Sequence, residues 1–451
     1  METIKDAFGA LKKDEKKEPA AKKPEPVKGL ALGGGGSRGS YTVGVLKAFE
    51  QAGLKFNLVS GTSIGALVGA VYVQQDFAKV DAFMDNFQSG GVVSHPFVFP
   101  NQYEARTAKT PQEFMEIYTK GGPSEAPLRK QYLEVFNFDE FKASPIDFAC
   151  LSWNLTRNEP QVFFKKNMTK EDVLDKLVSS TAYFPAFNLQ QIDGDFLIDG
   201  GYCNYPLGKV AKEMGAQKLW LVGLHNPDEP MPMVEEGVEL AVRPILRLAY
   251  YMNFSAPILR QQVMQGYLEG LKYLDMAPGY IYTFYKEDAP LLQILSDVAN
   301  RILVKRNISL DMKEIQHGFS SLLGYEPGPL HNTYMKKQYA GLLLEFLGLV
   351  ADIDIYKQYH ITEFAGLLLK TFSNNRVSLT PDAAQHLGQE MNQAGAEDLI
   401  VFFHSAIQAF GVNLPDEFQG VMNKFKSVYY LALAWHVLDH FSLAIKLIDR
   451  L

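Results

Sequence analysis

The feature that most restricts how this chain can fold is a serine placed between two glycines, in the stretch GTSIG at residues 61–65. The residues before it have the pattern of a buried strand end (57–60), and those after it predict a packed helix (64–71). Glycine accepts backbone conformations that other residues avoid, so the two glycines permit a very sharp turn between strand and helix. A serine on such a turn presents its hydroxyl in the open, as in a nucleophile elbow. Ser63 is therefore a candidate nucleophile.

A carboxylate follows a second strand pattern, far along the chain. The apolar run at 196–198 leads into Asp199, and the two glycines after it would let another backbone come close. A serine hydroxyl is a poor nucleophile until a base takes its proton, and Asp199 is a candidate for that base. A histidine is the usual alternative, but only His95 and His225 lie in the first 290 residues, and neither belongs to a recognisable motif. We expect a surface or packing role for both histidines.

A glycine-rich loop is the third element of the pattern. Residues 29–32 predict a strand, residues 33–39 have the sequence GGGGSRG, and residues 41–49 have helical periodicity. A loop that opens a helix presents free backbone N–H groups and the positive end of the helix dipole. These groups suit the oxyanion that forms when a serine attacks an ester carbonyl. Arg38 adds a fixed positive charge close to these groups.

The same loop also fits the G-x-G-x-x-G fingerprint of dinucleotide-binding folds, through Gly34, Gly36 and Gly39. That hypothesis expects an acidic residue at the end of the second strand, about 20 residues further on. The chain has Phe56 and Asn57 at this point, followed by the serine turn. We therefore favour an ester-cleaving site over a dinucleotide site.

Three motifs in this order closely resemble those of the patatin-like phospholipases: GGGSRG at 34–39, GTSIG at 61–65 and DGG at 199–201. The stretch 179–187 is similar to the segment that precedes Asp-Gly-Gly in that family. The stretch 266–272 is similar to one in its bacterial members. The resemblance extends from Lys28 to about Tyr285 and does not cover the rest of the chain.

The resemblance implies a serine lipid acyl hydrolase. It implies a catalytic dyad in which Ser63 attacks the ester and Asp199 is the base. We assign the oxyanion hole to the glycine loop, through Gly34, Gly35, Gly36 and Arg38. Arg38 would help to hold that loop or contact the lipid head group. The other motif glycines are expected to shape the elbow and the turns; they are Gly39, Gly61, Gly65, Gly200 and Gly201. No cofactor and no metal is implied.

Strand and helix patterns alternate over the first part of the chain. The strand patterns lie at 29–32, 58–60, 148–153, 196–198 and 219–224. Such alternation predicts an α/β fold with parallel strands near the serine turn. The resemblance implies the patatin-like three-layer form, a sheet with helices on both faces.

Two further expectations concern the end of this part. A long helical stretch is expected over 234–274, interrupted at Pro244 and Pro257, and a last strand over 280–284. The apolar stretch within the first of these, Tyr250, Tyr251, Met252 and Phe254, is expected to pack in the core; the alternative is the mouth of an acyl-binding site.

Composition divides the chain into three expected parts. Residues 1–27 are charged, contain prolines and have few apolar residues, which predicts a disordered tail. Residues 28–290 hold the three motifs and form the expected lipid acyl hydrolase domain. Residues 291–451 show helix patterns and no catalytic motif, so a second, all-helical domain of unknown role is expected there.

Charge and cysteine content exclude several classes. The net charge of −7 argues against nucleic acid as a partner. The two cysteines, Cys150 and Cys203, are too few for a disulfide framework and lack the spacing of a metal site. No signal-peptide pattern opens the chain, and no apolar run reaches the ~18 residues of a membrane span. We expect a cytoplasmic protein that can also work peripherally at membranes.

The sequence thus predicts an enzyme that cleaves fatty-acyl esters of phospholipids or lysophospholipids at a membrane surface or micelle. One alternative is a partner-activated phospholipase effector or toxin, in which residues 291–451 bind a protein activator. A less favoured alternative is a catalytically idle interaction module. Binding alone would not require Ser63, Asp199 and the glycine loop together.

Overall fold

The structure is a computed structural model that describes residues 25–85, 125–184, 186–305, 312–331, 333–334, 341–373 and 395–448. Most of the tail predicted at 1–27 lies outside the described residues. None of the helices within the described residues combines the length and the apolarity needed to span a bilayer.

A mixed sheet organises the described part of the first 290 residues. Its eight strands are β1 (Lys28–Leu32), β2 (Leu58–Thr62), β3 (Asp147–Asn154), β4 (Glu159–Phe164), β5 (Gln190–Ile192), β6 (Asp195–Asp199), β7 (Lys218–Val222) and β8 (Val238–Val242). They are hydrogen-bonded in the order β5-β6-β3-β2-β1-β7-β8, and β4 pairs with β3. The β3-β2-β1-β7-β8 part is parallel, whereas β4, β5 and β6 run antiparallel to their neighbours. The prediction of parallel strands at the serine turn is confirmed.

Helices cover both faces of this sheet. They are α1 (Gly39–Gln51), α2 (Ile64–Val73), α3 (Phe77–Asp85), α4 (Ala126–Tyr132), α5 (Phe138–Ala143), α6 (Val173–Ser179), α7 (Lys209–Glu213) and α8 (Ala256–Tyr273). Side chains alternate between the faces along a strand. In β1, Leu30 and Leu32 join the core that includes α1, α2 and α8, whereas Ala31 joins the core under α7. Burial on both faces explains the continuous apolar runs of the central strands, and the predicted α/β fold is confirmed.

The segment 234–274 differs from the long helical stretch expected from the sequence. Val238–Val242 forms β8, which lies parallel to β7, and α8 begins only at Ala256. Residues 243–255 between them are irregular. β8 is an edge strand with mostly half-buried residues, so its sequence lacks the apolar run that reveals the central strands.

The strand expected at 280–284 does not join the main sheet. Thr283–Phe284 forms β9, which pairs in parallel with β10 (Gln358–Tyr359) in a separate two-stranded sheet. The partner strand comes from the C-terminal region. The sequence of residues 280–284 does not predict this pairing, because a strand pattern does not show which other strand it pairs with.

The C-terminal region is helical, as predicted. Its helices within the described residues are α9 (Ala289–Lys305), α10 (Met312–Leu323), α11 (Leu342–Val350), α12 (Ile361–Ser373), α13 (Ala396–Phe410), α14 (Gln419–Lys424) and α15 (Lys426–Ile448). They bury a second apolar core, in which Trp435 on α15 is 1% exposed. Ile245, Leu246, Tyr280, Ile281, Tyr282 and Phe284 also belong to this core. The second core therefore begins before the boundary predicted at residue 290.

Two buried ionisable side chains, one on α8 and one on α11, bind the same segment of the chain. Lys272 and Glu345 are 1% and 0% exposed. Lys272 Nζ donates a 2.5 Å hydrogen bond to the carbonyl of Tyr280, and the carboxylate of Glu345 accepts the N–H groups of Tyr280, Ile281 and Tyr282 at 2.7–3.1 Å. Both side chains thus bind the backbone of residues 280–282.

Replacing Glu345 by alanine should lower the free energy of unfolding by about 3–5 kcal/mol, because it removes a counter-charge of Lys272 and leaves buried N–H groups without an acceptor. Urea unfolding followed by circular dichroism measures this loss. The control is Glu363→Ala, whose carboxylate forms an exposed ion pair with Lys357 and should cost less than about 1 kcal/mol. Equal losses in the two variants would contradict the prediction.

Candidate active site

Ser63 lies between β2 and α2 in a backbone conformation that serine seldom adopts, with φ 56° and ψ −129°. Such strain costs about 1–3 kcal/mol and is typical of functional turns. The flanking glycines make the turn possible. A Cβ on Gly61 would lie 2.3 Å from the carbonyl oxygen of Gly65, and one on Gly65 would lie 2.4 Å from that of Leu32. No side chain fits at either position.

Strand β3 explains why Ser63 and Asp199 meet although they are 136 residues apart. β4 pairs with one edge of β3, so β2 and β6 both use the other edge. On that edge β2 runs parallel to β3 and ends with Thr62 opposite Leu151. β6 runs antiparallel and ends with Asp199 opposite Ser152. The two strands therefore meet end to end at adjacent residues of β3.

The side chains of Ser63 and Asp199 are in direct contact. Ser63 Oγ donates a hydrogen bond of 2.6 Å to Asp199 Oδ2, and Asp199 Oδ1 accepts the N–H of Gly201 at 2.7 Å. Burial raises the pKa of Asp199 to about 6, against the lowering effect of these two hydrogen bonds. A carboxylate with this pKa is ionised at neutral pH and still takes up a proton readily, which suits a general base.

The glycine loop lies beside Ser63 with unused backbone donors. The N–H groups of Gly33 and Ser37 are bound by carbonyls of other segments, at 2.9 and 2.7 Å. Among the described residues, none accepts a hydrogen bond from the N–H groups of residues 34–36. A Cβ on Gly34 would lie only 2.9 Å from Ser63 Cβ, so the loop is in contact with the serine. The loop could offer its free N–H groups to an oxyanion formed there.

Arg38 is directed away from this position. Its guanidinium donates to the carbonyls of Ala249 (2.9 Å) and Leu224 (3.0 Å) and forms an ion pair with Glu229 at 2.9 Å. The side chain is buried, and it is not among the described residues that line the cavity next to Ser63. Of the two roles expected for Arg38, the contacts favour holding the loop.

The remaining motif glycines lie where chain segments come close together. A Cβ on Gly36, Gly39 or Gly200 would lie 2.2–2.3 Å from an atom of the facing segment. A Cβ on Gly35 would lie 2.9 Å from Leu224 Cβ. Gly201 has more space around it, and its N–H donates a hydrogen bond to the carboxylate of Asp199.

Ser63 and Asp199 open into a cavity of about 760 Å³. Much of its wall is apolar, including Leu67, Leu128, Phe187, Met252 and Phe254. Tyr251 lines it as well, so three residues of the stretch 250–254 contribute to the cavity wall. Phe254 also belongs to the core that includes α1 and α2, and Met252 packs against that core, as expected from the sequence. A hydrocarbon chain would be stabilised in such a cavity by about 0.8 kcal/mol for each buried methylene.

Among the described residues, neither His225 nor Cys203 makes a catalytic contact. His225 lines the cavity, but within the described residues no hydrogen bond joins it to Ser63 or Asp199; burial lowers its pKa. Burial raises the pKa of the Cys203 thiol to about 11, which makes it unreactive at neutral pH. His95 lies outside the described residues. In the part of the chain that the structure describes, no group of three His, Cys, Asp or Glu side chains could hold a metal ion.

Sequence reasoning missed two features of the site. Tyr183 and Tyr202 stack at 5.4 Å in the cavity wall, and the hydroxyl of Ser180 binds the backbone of Ser63. The stretch 179–187 resembles a segment of the family, but its sequence does not indicate that Ser180, and not a neighbouring residue, binds the backbone of Ser63.

The sequence profile of the family described as patatin-like phospholipase matches residues 30–210. This span contains the glycine loop, the serine turn and Asp199. Residues 30–210 form a patatin-like phospholipase domain. The C-terminal helices lie outside the matched residues of the patatin-like phospholipase domain.

Curated relatives match the same part of the chain. Lysophospholipase nte1 of Aspergillus oryzae is 25% identical over 205 residues, and lysophospholipase NTE1 of Lodderomyces elongisporus is 29% identical over 216 residues. The alignments cover 45% and 46% of this chain but only 12% and 13% of those relatives. The aligned part of this chain therefore corresponds to a small part of much longer relatives.

Two solved structures align with most of this chain at low scores. VipD from Legionella pneumophila has a TM-score of 0.36 at 12% identity, covering 92% of this chain and 91% of that one. ExoU of Pseudomonas aeruginosa, solved in complex with SpcU, has a TM-score of 0.24 at 12% identity, with coverages of 94% and 90%.

Proposed function

We propose that this chain is a serine lipid acyl hydrolase that cleaves fatty-acyl esters of phospholipids or lysophospholipids. The observation that carries the proposal is the 2.6 Å hydrogen bond from Ser63 to Asp199 at the wall of a largely apolar cavity. The family of residues 30–210 and the lysophospholipases among the relatives support the same class of reaction.

In the first half of the proposed reaction, Ser63 Oγ attacks the ester carbonyl carbon while Asp199 Oδ2 takes the hydroxyl proton. The carbonyl oxygen becomes an oxyanion, which the free N–H groups of residues 34–36 stabilise. The intermediate then collapses. The C–O bond to the leaving alcohol breaks, and Asp199 returns the proton to that alcohol.

In the second half, water attacks the acyl-enzyme at the same carbonyl carbon. Asp199 takes a proton from the water, and the same N–H groups stabilise the second oxyanion. Breaking the acyl–serine bond releases the fatty acid and returns the proton to Ser63. The net reaction is ester hydrolysis, and each step uses groups of this chain and water.

Lipid mass spectrometry tests the proposal. A defined mixture of phospholipids, lysophospholipids and glycerides is incubated with the wild type and with Ser63→Ala, and the fatty acids and remaining lipids are measured. We expect fatty-acid release from phospholipid or lysophospholipid by the wild type alone. Equal release by both proteins, or none by a folded wild type on any lipid of the mixture, would contradict the proposal.

The pH dependence of hydrolysis follows from the buried base. Asp199 accepts a proton only when ionised, and burial raises its pKa to about 6. The value of kcat/KM should therefore be constant above pH 7 and fall about tenfold for each pH unit below the midpoint. A soluble p-nitrophenyl ester, assayed at constant ionic strength, gives this profile.

Two checks belong to the pH profile. Circular dichroism at each pH excludes unfolding as the cause of the loss. His225→Gln should keep the same midpoint, since no hydrogen bond joins His225 to the dyad within the described residues. A midpoint near the ordinary aspartate value of about 4 would contradict a buried base.

The role of the C-terminal helices also remains a proposal. Ile245 and Leu246 belong to the second core, and the carbonyls of Tyr250 and Tyr251 bind Ser37 of the glycine loop. A protein that binds the C-terminal helices could therefore act on the glycine loop through residues 245–251. The protein activator, the cytoplasmic location and the peripheral contact with membranes stay predictions from the sequence.

A further inference from the structure

Ser180 connects the serine turn with the central strand of the sheet. It directly follows α6 and is fully buried, 0% exposed. Its Oγ accepts a hydrogen bond of 2.9 Å from the N–H of Ser63 and donates one of 2.5 Å to the carbonyl of Leu151 on β3. A serine hydroxyl has a single proton, so both directions are determined by these two partners. Ser180 is not among the described residues that line the cavity.

The backbone of the same segment holds Asp199. The carbonyl of Ser180 accepts the N–H of Gly200 at 3.3 Å, and the carbonyl of Ala182 accepts the N–H of Asp199 at 3.0 Å. The segment 180–182 therefore binds the chain on both sides of the contact between Ser63 and Asp199. A shift of this segment would move the nucleophile and the base relative to each other.

The N–H of Ser63 needs such a partner. It precedes the first residue of α2, where the helix itself offers no carbonyl to a backbone donor. A buried N–H without an acceptor is costly, and the positive φ of Ser63 makes the turn ready to relax. The Ser180 hydroxyl supplies the acceptor and keeps the turn in its strained form.

We propose that Ser180 is a positioning residue, which sets the distance and direction between Ser63 Oγ and Asp199 Oδ2 and touches neither substrate nor the reacting atoms. This inference rests on the proposed function of the dyad. Reactions of this kind are sensitive to geometry, since a displacement of about 1 Å can cost about 10²-fold in rate.

The chain offers a matched control at the neighbouring position. Ser179 is also 0% exposed, but its hydroxyl donates to the carbonyl of Lys176 at 2.8 Å and lies 2.9 Å from Ser152 Oγ. Ser179→Ala and Ser180→Ala each remove one buried hydroxyl next to α6. Only Ser180→Ala removes a contact with Ser63.

The experiment compares wild type, Ser180→Ala, Ser179→Ala and Ser63→Ala in the full chain. For each protein, kcat and KM are measured on a soluble p-nitrophenyl ester, and the rate of covalent labelling by a fluorophosphonate is measured without lipid. We expect kcat and labelling of Ser180→Ala to fall by about 10–10²-fold, with KM and the pH midpoint unchanged. Ser179→Ala should stay close to wild type in all of these quantities.

A second variant covers the case in which Ser180→Ala does not fold. Ser180→Cys keeps a side chain of similar size whose thiol is a weaker donor and acceptor, so its kcat should lie between those of serine and alanine. A folded Ser180→Ala or Ser180→Cys protein with wild-type kcat and labelling rate overturns the inference. Losses of equal size in Ser179→Ala and Ser180→Ala also overturn it, because they show a structural role only. If Ser63→Ala retains wild-type hydrolysis, the proposed function itself fails.

Discussion

Ser63→Ala and Asp199→Asn are each expected to lower hydrolysis of a p-nitrophenyl ester by about 10⁴-fold or more, because the two residues act as one unit. Alanine removes the nucleophile. Asparagine keeps the shape of the aspartate, but its amide oxygen is too weakly basic to take up the proton of Ser63 Oγ. In the wild type, that hydroxyl donates a hydrogen bond of 2.6 Å to Asp199. The measurement is kcat/KM of purified, folded variants, with a thermal melt for each.

A carboxylate on the same strand serves as the control for Asp199. Asp195 lies at the start of β6 and is bound by Asn154 and Arg157, away from the serine turn. Asp195→Asn should therefore keep activity near that of the wild type. Retention of a tenth or more of the activity in Ser63→Ala or Asp199→Asn would end the dyad assignment, whatever the control shows.

Gly34→Ala is expected to lower kcat by about 10²–10³-fold, as large an effect as the loss of one oxyanion donor, because the added methyl displaces the N–H groups of the loop from the oxyanion. The added methyl would lie 2.9 Å from Ser63 Cβ and 3.4 Å from the carbonyl oxygen of Thr62, so the loop or the serine must move. Gly34 is not in the left-handed region, so its backbone φ does not exclude alanine, and the cost of the substitution lies in these close contacts. The loop lines the cavity and can shift into it, so the expected change in melting temperature is small compared with the change in kcat.

Gly420→Ala is the matched control for this substitution. Gly420 lies on α14, and nothing lies within 4 Å of a Cβ built there. Alanine is favoured over glycine inside a helix by up to about 1 kcal/mol, so this variant should keep full activity and stability. A Gly34→Ala protein that loses fold and activity together would show that the glycine is structural, and one with wild-type kcat would exclude the loop from the reaction.

Local sequence patterns predict most of the fold. The central strands are buried on both faces, so β1, β2, β3 and β7 appear in the sequence as apolar runs at nearly their observed bounds. Edge strand β8 has no such run, and its sequence predicts part of a helix instead. The pairing of β9 with β10 joins residues 283 and 358, and no local pattern contains that information.

Arg38 illustrates the same limit within the site. Its position in the glycine loop predicts a charge near that loop. The direction of the side chain depends on the carbonyls of Leu224 and Ala249 and on Glu229, which come from other segments. Sequence spacing does not describe such contacts, so the choice between head group and loop needed the tertiary structure.

By itself, the sequence determined the local chemistry of this protein: the glycines that permit a strained serine turn, the free N–H groups of a loop that opens a helix, and a carboxylate at a strand end. Only the tertiary structure decided that these groups meet. β2 and β6 approach from opposite directions along one edge of β3 and end at Leu151 and Ser152, which are adjacent. Strand pairing depends on hydrogen bonds between distant segments, and the 2.6 Å contact between Ser63 and Asp199 is a consequence of that register.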